Sequence, residues 1–153
     1  MGIAPAPAHA AKEATVSQFG FQQPFDLDNN EDSYSNNCDW EIAFFEGIVG
    51  SAPKYVEALA NLGNLYTKRG DYYKGLEIDK RLVELLPDDP IIHYNLACSL
   101  SLTDDRDAAL VELQKAIQCG YSDYTYMLED EDLESVRNDP RFFELMARFS
   151  KPV

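Results

Sequence analysis

The chain of 153 residues lacks the features that mark several classes of protein. It has three cysteines, Cys38, Cys98 and Cys119, and no Cys-x-x-Cys spacing, which indicates unpaired thiols in a reducing compartment. No stretch approaches the roughly 20 apolar residues of a membrane helix, so membrane insertion is not expected. Bases are scarce, with 13 lysines and arginines against 27 acids. The net charge of −14 opposes binding to nucleic acid and favours basic partners.

Motifs for catalysis and for cofactor binding are also missing. The sequence has no P-loop, no Gly-x-Gly-x-x-Gly and no His-Glu-x-x-His. Only two histidines occur, and we expect His93 to pack or to lie at the solvent edge rather than to act in catalysis. The acidic stretch from Asp26 resembles a calcium loop, but Glu31 and Asn37 stand where that loop needs glycine and glutamate. We therefore predict a protein that is not an enzyme and has neither a cofactor nor a metal site.

Residues 1–37 show no helical or strand periodicity and are predicted to form a disordered acidic tail. Phe19, Phe21 and Phe25 interrupt its polar sequence. They are either incidental aromatics in a linker or a short segment that docks on its own molecule or on a neighbour.

The first 40 residues contain a single base, so neither a secretory signal nor a transit peptide is expected, and the predicted location is cytoplasmic.

The chain does contain a repeat with a period of 34 residues. Pro53 is followed one period later by Pro87, and the next equivalent position is Tyr121. Apolar residues between these markers recur at helical spacing, and no segment shows the alternation of a strand. A fixed period of this length predicts stacked pairs of helices, so the expected fold class is all-α.

The repeat resembles the tetratricopeptide repeat (TPR), through the spacing Leu59, Leu62-Gly63, Tyr66, Gly70, Tyr72, Gly75, Leu82 and Pro87. The resemblance implies a short solenoid of antiparallel helix pairs with a C-terminal helical cap, covering residues 38–153. Its parts are a half repeat at 39–52, repeats at 53–86 and 87–120, and a cap at 121–150. Small residues such as Gly63 and Gly75 allow close helix packing. Asp79 departs from the pattern, which predicts looser packing there.

The C-terminal segment from Asp132 to Phe142 resembles the closing DLxxxRxDPRF segment of short bacterial TPR proteins. Asp139 and Pro140 predict the start of a last helix. One face of that helix is predicted to carry Phe142, Phe143, Leu145, Met146 and Phe149. Such a helix would cover the apolar end of the array, which repeat proteins require for solubility.

In the TPR family the first helices of successive repeats line a groove that binds a segment of another protein. Carried over by repeat position, the resemblance implies a groove lined by Glu57, Asn64, Thr67, Ile91, Tyr94, Asn95, Cys98 and Ser101. The expected function is that of a non-catalytic adaptor for another protein with a basic or apolar segment. The alternative is a structural or self-associating subunit of a larger assembly, with Phe19, Phe21 and Phe25 docking on a neighbouring copy.

Overall fold

The computed structural model describes residues 31–149, with side chains from Cys38 onward, and this part contains helices and no strand. The all-α fold is thereby confirmed. The predicted tail residues Phe19, Phe21 and Phe25 lie outside the described residues. The helices are α1 Glu31–Ser51, α2 Val56–Arg69, α3 Tyr72–Leu85, α4 Pro90–Leu102, α5 Arg106–Gln118, α6 Tyr124–Glu129, a 3-10 turn Glu131–Leu133, α7 Glu134–Arg137 and α8 Pro140–Phe149.

Two compact units make up the chain, Met1–Ile78 and Asp79–Val153, and the boundary lies within α3. In the first unit α1 and α2 run antiparallel, because Glu46 contacts Tyr66 while the earlier Asp39 contacts the later Arg69. In the second unit α4 and α5 are joined by a three-residue turn, and short connections of this kind make sequential helices antiparallel neighbours. Within each unit, consecutive helices therefore pack on one another.

Local turn residues set the end of α2 and the start of α4. Gly70 ends α2 in the left-handed conformation, with φ of 87°, and the backbone N–H of Asp71 returns to the carbonyl of Tyr66 at 2.8 Å. At the start of α4 the Asp89 carboxylate accepts hydrogen bonds from the backbone N–H groups of Ile91 and Ile92, at 2.9 and 3.1 Å. Pro90 follows as the first helical residue, where its missing N–H costs nothing.

We expect Asp89→Ala to lower the free energy of unfolding by about 1 kcal/mol, because two N–H groups at the helix start lose their acceptor. Asp88→Ala is the matched control, since Asp88 is an exposed neighbour with the same charge. Urea unfolding followed by circular dichroism measures both. Equal losses in the two variants would mean that charge, and not the helix cap, sets the effect.

Two helix starts differ from the expected ones. α1 begins at Glu31, eight residues before Asp39, because apolar periodicity cannot detect the polar first turns of a helix. α2 begins at Val56, and Pro53 lies in the preceding turn. Within that turn the N–H of Tyr55 donates to the carbonyl of Ala52 at 3.1 Å. The carbonyl of Tyr55 is in turn the acceptor of the first helical hydrogen bond of α2.

Gly75 lies at a close contact between two helices, as its small size in the repeat predicts. A Cβ atom on Gly75 would lie 2.9 Å from Oγ1 of Thr67 and 3.5 Å from the carbonyl oxygen of Gly63. The start of α3 therefore passes α2 so closely that any larger residue at position 75 would require the Thr67 side chain to move.

Asp79, expected to loosen the packing, is instead buried and accepts a hydrogen bond from Oγ of Ser99 at 2.5 Å. The fold accommodates this carboxylate because a buried polar group that is hydrogen-bonded avoids most of the desolvation penalty.

The last helix, α8, forms as the C-terminal segment predicts, but its buried face contains fewer of the predicted apolar residues. Phe142, Leu145 and Met146 are buried and Phe149 is half-buried, whereas Phe143 is 58% exposed. Phe143 is adjacent to Phe142 in sequence, and adjacent residues point about 100° apart on a helix. Asp139 precedes this helix, and hydrogen bonds from the side chain and the backbone N–H of Arg141 lower its pKa to about 2.

Candidate interaction surface

The face of α4 that the sequence assigns to a groove is covered in the second unit. Tyr94, Cys98 and Ser101 recur at spacings of four and three residues and therefore share one side of the helix. All three are buried, with exposed fractions of 0%, 2% and 3%. The covering residues come from the segment that follows α5. These three positions are thus part of the core of the unit and offer no surface to a partner, which corrects their predicted place in an open groove.

Tyr94 is held by two aromatic rings and one carboxylate. Its ring stacks on Tyr121 with centroids 4.3 Å apart and planes 3° apart, and the Tyr126 ring lies 6.1 Å away. Its hydroxyl donates to Oδ2 of Asp130 at 2.7 Å. Burial first, and the nearby acidic groups second, raise the pKa of Tyr94, so the hydroxyl remains a proton donor. The side chain expected to contact a partner instead fixes the C-terminal segment.

Asp130 is the acceptor that joins these groups, a role that no pattern in the sequence predicts. Its Oδ2 also receives the Cys98 thiol, at 3.7 Å, and its Oδ1 accepts the backbone N–H of Asp132 at 3.0 Å. Ligand atoms of Cys98, Asp130 and Asp132 lie within 4.8 Å of one another. Because both Asp130 oxygens already accept hydrogen bonds, we attribute this cluster to the fold.

Other predicted groove residues keep some accessible surface. In the first unit Glu57 is exposed, and Asn64 and Thr67 are half-buried. These three residues follow one another at spacings of seven and three, so they form one stripe along α2. In the second unit Ile91 and Asn95 are half-buried. The amide oxygen of Asn95 is buried and has no hydrogen-bond partner among residues 38–149.

A second accessible surface lies on α1, within the first unit. Trp40 is 59% exposed and Phe44 is 40% exposed, and their rings stack with centroids 5.6 Å apart and planes 12° apart. Ala43 and Gly47 are exposed on the same side of the helix. We call these four residues the Trp40 surface. The side that carries Cys38, Ile42 and Val49 is buried.

Acidic groups flank the Trp40 surface, and neighbouring side chains hold two of them. The hydroxyl of Tyr66 donates to Oε1 of Glu46 at 2.5 Å. Burial and this hydrogen bond raise the pKa of Tyr66 to about 12. Nη1 of Arg69 bonds Oδ1 of Asp39 at 2.6 Å, and its other donors bond Asp71. Hydrogen bonds to Asp71 and then Asp39 raise the pKa of Arg69, so this ion pair stays charged.

Comparison with known proteins gives a limited likeness. No model of a known protein family matches the chain. Over 92 residues it is 29% identical to a chloroplastic protein of Arabidopsis thaliana. The similar region covers 58% of the chain and 28% of that protein, so the chain spans less than a third of the length of this relative.

Within residues 31–149, no helix combines the length and apolar character needed to cross a membrane. None of the three cysteines forms a disulfide in this part of the chain, and Cys38 and Cys98 are buried.

The sequence contained a signal for the Trp40 surface that apolar periodicity alone did not separate. Trp40, Phe44, Phe45, Ile48 and Val49 recur at helical spacings. At about 100° per residue, however, Trp40 and Phe44 point away from Ile42 and Val49. A helix with apolar residues on two opposite sides has either a fully buried position or a second contact surface. The spacing alone could have raised this question, but only the packing of α2 shows which side is covered.

Proposed function

We propose that this protein is a non-catalytic, TPR-type adaptor that binds a segment of another protein along the accessible stripe of α2. One observation carries the proposal: Glu57 and Asn64 share the side of α2 that lies away from its buried residues, and Thr67 lies at the edge of that side, next to α3. An asparagine amide offers one donor and one acceptor group, which complements the peptide group of an extended segment. Glu57 adds a negative charge that favours a basic residue in that segment.

Composition supports the choice of partner class. The net charge of −14 disfavours nucleic acid and anionic lipid surfaces as partners. The resemblance of the C-terminal segment to the cap of short bacterial TPR proteins supports a short, closed array. Buried thiols without disulfides support a reducing compartment, with the cytoplasm as the simplest case. The Arabidopsis relative is named as a chloroplast protein, and the interior of that organelle is the second location we propose.

Site-specific cross-linking tests the α2 stripe. A photoreactive amino acid at position 64 should trap a defined partner, identified by mass spectrometry, whereas the same probe at Val111 should not. Val111 is a suitable control because it is 52% exposed on α5, in the other unit. We further expect Asn64→Ala to weaken the captured interaction about fivefold, since one hydrogen bond contributes about 1 kcal/mol. Equal trapping at both positions, or unchanged affinity of Asn64→Ala, would contradict the proposed stripe.

A further inference from the structure

The Trp40 surface lies opposite the buried side of α1. Successive residues turn by about 100°, so positions 40, 44 and 47 fall within a sector of about 60°. The buried residues Cys38, Ile42 and Val49 occupy the opposite sector. The packing of α1 on α2 therefore accounts for only one of the two apolar sides of this helix.

The Trp40 surface combines a ridge with a flat floor. The stacked rings of Trp40 and Phe44 form the ridge. One turn further on, a Cβ atom on Gly47 would meet nothing within 4 Å, and the same is true of Gly50. A side chain or helix of another molecule could therefore approach the backbone of α1 directly beside the two rings. Exposed apolar patches with polar edges mark interaction sites, and tryptophan is enriched among the residues that dominate binding energy.

Charge restricts the occupant of this surface. The α1 sequence contains no lysine, arginine or histidine. Glu41 lies about 100° from Trp40 on one side of the helix and Glu46 about 120° away on the other. Arg69, a cation that contacts α1 through Asp39, is also bound to Asp71. A second copy of this chain would bring the same carboxylates against each other, in molecules that each carry a charge of −14.

We propose that the Trp40 surface binds an amphipathic helical segment of a different protein, with large apolar side chains against Trp40 and lysine or arginine beside Glu41 and Glu46. This site is distinct from the α2 stripe, so it can fail or succeed independently of the proposed adaptor function. The apolar contact provides affinity, and the two carboxylates select basic over acidic segments.

Trp40 is the single tryptophan of the chain and therefore reports on its own surface. The probe is a synthetic amphipathic peptide of about 18 residues, five helical turns, with leucine on one side and lysine on the other. We expect saturable binding with a blue shift of the Trp40 emission. The control peptide has glutamate in place of every lysine and should cause no shift. Equal shifts with both peptides, or none with the lysine peptide, would overturn the proposal.

Variants separate the Trp40 surface from general attraction between an acidic protein and a basic peptide. With a dye-labelled lysine peptide, Trp40→Ala in the full chain should weaken binding at least about tenfold. Gly47→Gln fills the floor, improves helix propensity and keeps the fluorescent reporter, so it should also weaken binding without unfolding α1. Tyr73→Ala is the control, because Tyr73 is 74% exposed on α3, and it should change affinity less than twofold. A similar loss in Tyr73→Ala would contradict the assignment.

Two further measurements address other occupants of the same surface. Light scattering of the full chain should give a monomer mass, whereas a dimer that Trp40→Ala dissociates would identify a second copy as the occupant and overturn the proposal. Substituting Phe19, Phe21 and Phe25 together by serine should leave the emission of the unliganded protein unchanged. A red shift in that variant would show that the N-terminal segment of the chain covers Trp40, which would likewise overturn it.

Discussion

Tyr94→Ala should lower the free energy of unfolding by about 3–5 kcal/mol, the range for deleting a buried aromatic side chain. Tyr94 is 0% exposed, stacks on Tyr121 and donates a hydrogen bond to Asp130. Alanine would leave a cavity at the point where the C-terminal segment meets α4 and would remove a donor from a buried carboxylate. Because a whole domain is stable by only about 5–15 kcal/mol, this single change should place the protein near its unfolding threshold.

Tyr94→Phe is the matched control for this prediction. It keeps the stacked ring and removes only the hydroxyl, so the expected loss is about 1 kcal/mol. Urea unfolding measures both variants, and the comparison is valid if the slope of free energy against urea concentration is unchanged. A Tyr94→Ala protein with normal stability but weakened partner binding would instead return Tyr94 to the open groove that the sequence predicts.

His93→Ala should be the second strongly destabilising change, with an expected loss of about 3–5 kcal/mol. His93 is 4% exposed, and its ring nitrogens lie 2.6 Å from Oε2 of Glu112 and 2.7 Å from the carbonyl oxygen of Pro87. Each ring nitrogen therefore has its own hydrogen-bonding neighbour. Removing the ring leaves a carboxylate with a half-exposed lysine, Lys115, as its remaining described partner.

A double-mutant cycle isolates this buried pair. Glu112→Ala alone should also be destabilising, and the double variant should lose clearly less than the sum of the two single losses, because either change already breaks the contact. Lys115→Ala is the control, since its side chain is 48% exposed and a surface pair contributes about 0.5 kcal/mol. Strictly additive losses for His93 and Glu112 would mean that each residue stabilises the fold through other contacts. This role for His93 agrees with the packing function expected from the sequence.

The ends of the helices could be predicted because their signals are local. Gly70 permits a left-handed turn and Asp89 with Pro90 starts a helix, and each effect depends on residues within one or two turns. The all-α fold followed from the 34-residue period in the same way. The polar start of α1 and the turn around Pro53 were not predicted, because neither carries an apolar pattern and proline is compatible with both a turn and a first helical turn.

The candidate site depends on contacts between segments that are distant in the sequence. The sequence predicted which residues share a side of a helix but not which segments cover that side. Repeat position placed Tyr94, Cys98 and Ser101 together on one side of α4, which is correct. It could not show that Tyr121 and Asp130, which follow α5, would cover that side. The same limit applied to α1, where the pattern located the aromatic residues but did not distinguish the side packed on α2 from the exposed side.

The sequence was sufficient to predict the all-α fold, the helix boundaries at Gly70 and at Asp89 with Pro90, and the acidic character of the chain, because propensity, turn geometry and charge are properties of short segments. The packing of the helices was needed to show that Tyr94 is a core residue and that Trp40 is a surface residue. The physical reason is that burial depends on which segments meet in space, and a helical period specifies which side chains share a side without specifying what packs against it.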